Sequence, residues 1–345
     1  MQKKILAAVV ASMMAGQAMA ATVVDNGTDK VTIGGHVGMR YVDQTDGESK
    51  GDSSRINFAF EHKLTEATTA FAKAEWGFDT TNSGEGDFFF NRLGYVGAKN
   101  DQYGSISFGK QWSTYSTVSG WTDMFATTGG EASGTYTSFG DELGTARADD
   151  ALQYNHSIMG LNISAQVQLG ERKLSTKVSG IVIPSTMVRD GSYSVAGSYN
   201  LPMGLSIGAA YNQAEVKDTS VAGSKDKSKS AIVGAKLEAD KIYAAFTYAD
   251  LKNLADGTLG LVEKAKGIEL YGSYQLNEMF KLGGGYNQLK DKSNNAGNTE
   301  LKYMPVEVIY TQGPVQLSAT YQFEKTKVAN VDVDDKMILQ ARYYF

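Results

Sequence analysis

From Val31 onward, apolar side chains alternate with polar or small ones in segment after segment. In 161–169, LNISAQVQL, the odd positions are Leu, Ile, Ala, Val and Leu, and the even ones Asn, Ser, Gln and Gln; in 315–324, VQLSATYQFE, the same rule runs for ten residues. Period two is the strand period, and a helical period would mix the two faces. Sixteen such segments begin near Lys30, Ser54, Thr68, Phe88, Gly104, Asp149, Leu161, Ser192, Leu205, Lys229, Lys241, Lys266, Phe280, Tyr303, Val315 and Asp335. An even number places both termini on one side.

The connections between these segments fall into two classes. Those at 63–67, 100–103, 157–160, 201–204, 238–240, 277–279 and 311–314 are tight turns. The alternate ones, at 43–52, 81–87, 111–146, 170–191, 215–228, 251–265, 291–302 and 326–334, are long and polar. Short turns at one rim and long loops at the other are the pattern of an outer-membrane barrel. A soluble two-sheet sandwich would also alternate, but it gives no reason for every second connection to be long. The expected fold is therefore all-β, a sixteen-stranded antiparallel transmembrane β-barrel.

The last segment, 335–345, reads DKMILQARYYF, with Met337, Leu339, Ala341, Tyr343 and Phe345 on one face. A strand that ends the chain leaves an open edge, and pairing with the strand near Lys30 removes both edges at once.

Composition narrows the setting. Lys3 and Lys4, the apolar run 5–14 and Ala18-Met19-Ala20 have the charge, core and small-residue cleavage site of a secretory signal peptide, so 1–20 is expected to be a signal peptide and 21–345 the barrel domain. Without the two signal lysines the chain carries 31 basic and 38 acidic residues, a net charge of −7, and has no basic nucleic-acid footprint. There is no cysteine, hence no disulfide, thiolate metal site or lipid-modified cysteine. No stretch approaches 18 consecutive apolar residues, which excludes a helical span. Neither a metal nor another cofactor is expected.

Tyrosine fits a membrane setting. Tyr41, Tyr193, Tyr199, Tyr211, Tyr248, Tyr274, Tyr286, Tyr310, Tyr321 and Tyr343 share the apolar parity of their strands, many near strand ends, where an interfacial girdle sits. Outer-membrane lipid and lipopolysaccharide are the expected surroundings. The third strand places Ala70, Ala72 and Ala74 outward; small residues suit close approach of another barrel, so a subunit interface is expected there.

The longest connection, 111–146, holds Trp112, Trp121, Met124 and Phe125 and is expected to fold inward and narrow the lumen. Parity turns Arg55 inward beside Ile56, Phe58 and Phe60, Arg92 inward beside Leu93 and Tyr95, and Arg147 inward beside Leu152 and Tyr154. It turns His36 and Arg40 inward between Val37, Met39 and Tyr41. A guanidinium facing lipid costs about 2–4 kcal/mol at mid-membrane. Lys110 shares parity with Ile106 and Phe108 and is expected outside the pore unless the strand ends before it. Asp123, Glu131, Asp141 and Glu142 on the long connection are the acidic candidates, and opposed charges across a constriction sort ions.

In SSRINF (53–58), NRLGYVGAK (91–99) and GSISFGKQWSTYSTVSGWTDMFATTGGE (104–131), and along 21–345 as a whole, the chain resembles the general diffusion porins of the Gram-negative outer membrane, and marine and vibrio-like members more than enteric ones. The resemblance implies a homotrimer of sixteen-stranded barrels with both termini periplasmic, passing ions and small polar solutes. It implies that Arg55, Arg92 and Arg147 match the family's arginine ladder, that His36 falls where enteric members have a lysine, and that Asp123 matches the acidic residue of the inward third loop. It also implies that Phe345 is the signal read by the barrel assembly machinery. One departure stands out: enteric members carry Pro-Glu-Phe-Gly-Gly after the loop methionine, where this chain has Ala126-Thr127-Thr128-Gly129-Gly130. Thr127 thus replaces a glutamate, and Glu131 is the acid available from a different place.

Three other functions compete. A barrel enzyme needs a positioned nucleophile and base; only His36, His62 and His156 exist, the last two near tight turns. A sugar-specific porin needs an inward aromatic slide, which parity does not reveal. An adhesin or structural anchor is compatible with a pore. The expectation is passive diffusion, with a mild cation preference suggested by the net charge.

Overall fold

The computed structural model describes residues 20–43, 48–81, 89–174, 176–178, 181–183, 186–256, 260–293, 299–328 and 331–345. Each alternating segment is a strand: β1 (Asp29–Asp43), β2 (Ser54–Lys63), β3 (Thr68–Phe78), β4 (Phe89–Asn100), β5 (Gly104–Trp112), β6 (Arg147–Ile158), β7 (Leu161–Gln168) and β8 (Met187–Asn200) form one half. The other half is β9 (Leu205–Asp218), β10 (Asp226–Ala239), β11 (Ile242–Asp256), β12 (Gly260–Gln275), β13 (Phe280–Asp291), β14 (Glu300–Gln312), β15 (Val315–Glu324) and β16 (Lys336–Tyr344). Each pairs antiparallel with the next, and β16 returns to β1 with Met337 opposite Asp43 and Tyr344 opposite His36. The sixteen strands close into a barrel.

Closure is continuous at the backbone. Gly35 N–H donates to the Phe345 carbonyl at 3.0 Å, and Phe345 N–H to the Gly35 carbonyl at 3.1 Å. Beyond that point a short strand, Ala21–Asp25, covers the rest of the same edge of β1 through residues 30–33. The expected signal peptide falls on residues 1–19, outside the described residues, and Ala20.

The side chains are sorted inside out relative to a water-soluble sandwich. In β7, Leu161, Ile163 and Val167 are 40–43% exposed, whereas Gln166 and Gln168 are 2–3% exposed. An apolar exterior around a polar interior is stable only in lipid. The outward tyrosines form interfacial pairs: Tyr193 lies 6.1 Å from Tyr211, and Phe280 lies 5.0 Å from Tyr310. Ala70, Ala72 and Ala74 face the same way as their partners Ala98, Val96 and Gly94, leaving a shallow strip on β3 and β4.

Several strands run further into the long connections than the sequence reading gave, β8 starting at Met187 and β10 at Asp226, and one strand changes face. The connection expected at 251–265 is mostly strand, because β11 runs to Asp256 and β12 starts at Gly260. The parity of β4 also breaks: Glu75 pairs with Leu93 but Trp76 with Asn91, so Arg92 is an extra residue in a bulge. Past the bulge Val96 is 59% exposed and faces out. Leu93 and Tyr95 therefore face in, opposite to the expectation, while Arg92 remains inward.

The long connection, residues 113–146, turns into the barrel and carries two one-turn helices, α1 (Ser116–Ser119) and α2 (Gly140–Leu143). It crosses to the wall formed by β9 to β16. Asn212 donates to the Leu143 carbonyl, Tyr243 to the Trp121 carbonyl, Thr122 to Glu269, Ser133 N–H to Glu269, Ala126 N–H to Glu307, and Gln340 to the Ala126 carbonyl, at 2.5–3.0 Å. Thr127 and Thr128 donate to Thr320 and Gln322 at 2.9 and 2.8 Å. At about 1 kcal/mol each, such bonds offset only part of the roughly 1–2 kcal/mol per residue that ordering the loop costs, and burial of its apolar side chains supplies more. Tyr115, Val118 and Ala132 are fully buried against Ile232, Leu251 and Tyr303.

The wall is hollowed to receive this loop. A Cβ at Gly208 would lie 2.6 Å from the Trp121 ring, one at Gly285 would lie 2.7 Å from the Phe125 ring, and one at Gly267 would overlap the Ala132 carbonyl. Neither backbone can yield at Gly267, so Gly267→Val is expected to lift the loop from its seat. The check is current per barrel across a planar lipid bilayer, which should rise measurably or become erratic; a wild-type current would contradict the seating.

Candidate functional site: a constricted lumen

With the loop on the far wall, the aperture lies between the loop and the wall running from β16 through β1 to β6. That wall is basic. Arg342, Arg40, Arg55, Lys73, Arg92, Lys110 and Arg147 come from β16 and β1 to β6 in turn, one strand each, and His36 stands below Arg40 on β1. Three acids sit among them. Asp52 accepts from Arg342 Nε; Glu75 accepts from Arg92 Nε at 2.7 Å and has Arg55 Nη1 at 3.9 Å; Asp141 lies 2.8 Å from Lys110 Nζ and 3.4 Å from Arg147 Nε. Three carboxylates cannot neutralise seven cations, and Arg40 and Lys73 make no ion pair among the described residues.

The structure thus brings Arg55, Arg92, Arg147, His36 and Arg40 to one wall. His36 is 4% exposed, its ring lies tilted at 5.3 Å from that of Tyr344, and its Nε2 has no partner among the described residues. Lys110 joins them, contrary to its strand parity, because β5 bulges between Gly109 and Gln111 and Gly109 takes φ +128°. That region of φ is cheap only for glycine. Sequence reading missed Arg342, Lys73, Glu75 and Asp52. Arg342 and Lys73 were visible as inward-parity residues on strands flanking those already chosen.

The loop acids divide. Asp123 faces the basic wall through two rings: Tyr136 donates to Asp123 at 2.6 Å, Tyr136 lies 6.4 Å from Trp112, and the Arg147 guanidinium lies 5.9 Å over Trp112. Glu131 is turned the other way, onto the Tyr303 hydroxyl of β14, and meets no arginine. Asp141 is consumed by Lys110 and Arg147, and the Glu142 carbonyl accepts from the fully buried Arg189 at 2.8 Å. Burial raises Asp123 above the usual carboxylate range, against the Tyr136 hydrogen bond that lowers it.

Burial pushes Glu131 up to about 7, against the Tyr303 hydrogen bond and a weak pull from Lys336, with the Asp123 charge adding to the rise. For an acid whose folded value exceeds the ordinary 4.5, the neutral form is the favoured one. Loop attachment is then strongest below pH 4.5, weakens as pH rises to about 7, and is constant above that. Open-channel current noise should accordingly grow between about pH 5 and pH 7 in the wild type and grow less over that range in Glu131→Gln. Identical pH dependence in both would contradict the assignment.

The profile described as Gram-negative porin matches residues 6–224 and 204–345. Outer membrane protein S2 of Salmonella typhi is 28% identical over 309 residues, 80% of this chain and 79% of the relative. Outer membrane porin C of Enterobacter cloacae is 27% identical over 371 residues, 100% of both chains. Among solved structures, Salmonella typhi OmpF in complex with daunomycin superposes with a TM-score of 0.78 at 23% identity, over 93% of this chain and 99% of that one. OmpT of Vibrio cholerae, in its trimer form, gives 0.69 at 17% identity, over 92% and 100%. A closed sixteen-stranded barrel, an inward loop and a profile match over nearly its whole length lead to one conclusion: this chain belongs to the Gram-negative porins, outer-membrane barrels through which small solutes diffuse passively.

Proposed function

We propose that the mature chain, 21–345, is a general diffusion porin that assembles as a homotrimer, with both termini on the periplasmic side and the long connections outside. The observation that supports it most is the loop laid across the lumen opposite a wall of seven cations. The strip of Ala70, Ala72, Ala74, Gly94 and Ala98 supports an inter-barrel contact, because small side chains let two sheets approach closely. The remaining apolar exterior and its tyrosine girdle support contact with lipid and lipopolysaccharide. The backbone pairing of Phe345 supports its part in barrel assembly.

A mild cation preference follows from the net charge alone. In this proposal it gives way to a weak anion preference, because charge at the narrowest stretch outweighs the total. Asp123 is the loop acid left to oppose the basic wall, since Glu131 is turned onto Tyr303.

Purified protein in a planar bilayer should insert in three equal conductance steps. Its reversal potential in a salt gradient should move toward anions in Asp123→Asn and toward cations in Arg92→Gln. Reversal potentials that ignore both changes would sink the assignment of the aperture.

Removal of Phe345 deletes two closing hydrogen bonds. It should lower the yield of heat-resistant barrels in the outer membrane several-fold while leaving the conductance of each barrel formed near the wild-type value. An unchanged yield would remove Phe345 from the assembly step.

A further inference from the structure

The parity switch at Arg92 does more than deliver one arginine. It brings Phe90, before the bulge, and Tyr95, after it, to the same lumen face, beside Phe71 of β3. Phe90 pairs with the inward Gly77 and its ring occupies the space a Cβ there would need; it is 45% exposed to the lumen. Tyr95 pairs with the inward Lys73, and its ring meets Phe71 edge-on at 6.2 Å. Phe71 lies across Gly97, where a Cβ would come within 2.6 Å of its ring. Glycine at 77 and 97 thus gives two of these rings a flat bed on the wall.

Cations occupy the rungs between the rings. Arg55 pairs with Gly77, level with Phe90; Arg92 and Glu75 come next; Lys73 is level with Tyr95; Phe71 follows. Successive same-face rungs on a strand are about 7 Å apart. From the long-loop side toward the short turns, the wall therefore reads ring and cation, cation, cation and ring, ring. Glu75 neutralises one of the three cations, held by Arg92 at 2.7 Å and approached by Arg55 at 3.9 Å. A neutral sugar would use the rings and leave the cations idle, and a mineral anion would do the reverse.

We propose that this face of β2 to β4 is a binding track for small ring-bearing anions, aryl carboxylates or aryl phosphates, whose ring lies on Phe71, Tyr95 or Phe90 while the acid group meets Lys73, Arg92 or Arg55. The proposal rests on the reading of the chain as a diffusion channel and names a solute class that the channel retains in passing. Ring contact adds specificity and cation contact adds field, so a solute with both is held longer than one with either alone.

The test uses purified wild-type protein in a planar bilayer with potassium chloride, and phenyl phosphate against methyl phosphate as added solutes. Phenyl phosphate should reduce the current saturably, at a concentration about fivefold or more below that at which methyl phosphate acts. Phe71→Leu, Tyr95→Leu, Phe90→Leu and Lys73→Gln, each normalised to its own potassium chloride conductance, should each weaken the block about threefold to tenfold. Phe323→Leu, on the lipid face, should leave it intact. Four aromatic and lysine sites are probed separately so that loss of one barrel to misfolding does not decide the outcome. Equal action of the two phosphates, or undiminished block in the variants that conduct, would overturn the track while leaving the channel standing. Absence of any conductance in the wild type would overturn both.

Discussion

Every backbone N–H and C=O of a lipid-immersed strand has to find its partner inside the protein, and this chain meets that demand by closing β16 onto β1. The pairing of Gly35 with Phe345, and the short N-terminal strand that continues along the same edge, leave no exposed row of polar backbone at the seam. Closure then dictates the rest. Outward side chains are apolar because they meet lipid, inward ones are polar because they meet water, and the interior of a sixteen-stranded barrel is too wide for its own side chains to fill.

The space left over is occupied asymmetrically. One wall, from β9 to β16, offers glycines and both donors and acceptors of hydrogen bonds, and the loop seats its rings and backbone there. The other wall offers cations, and the loop answers them with Asp141, paired to Lys110 and Arg147, and with Asp123 through the rings of Tyr136 and Trp112. A charged loop laid directly on a charged wall would close the lumen with ion pairs. Seating most of the loop on the far wall confines its contact with the cations to Asp141 at one end and the Ala126 carbonyl, 3.4 Å from Arg342 Nη2, at the other, and this lets one barrel be both narrow and open.

Most of the architecture was legible because period two is a strong signal when repeated sixteen times, as the clean alternation of β7 and β15 illustrates. The inward placement of Arg55, Arg40 and His36 followed from the same rule. The rule failed where a strand carries an extra residue. At Arg92 the bulge reverses the facing of Leu93 and Tyr95, and at Gly109 another brings Lys110 to Asp141. A bulge is set by the register of the neighbouring strand, which alternation within one strand does not encode. The orientation of Glu131 was illegible for a related reason: its partner, Tyr303, is 172 residues away and belongs to the opposite wall.

The constriction depends on the loop lying against the far wall, and the absence of native cysteine allows that contact to be tested by a single engineered bond. Thr127 and Thr320 approach to 2.9 Å between their hydroxyl oxygens. Thr127→Cys combined with Thr320→Cys should form a disulfide under mild oxidation, detected by altered gel mobility, and the tethered channel should keep the wild-type conductance steps. Two thiols that stay free and reactive, or a tether that shuts or widens the channel, would contradict the position of the loop.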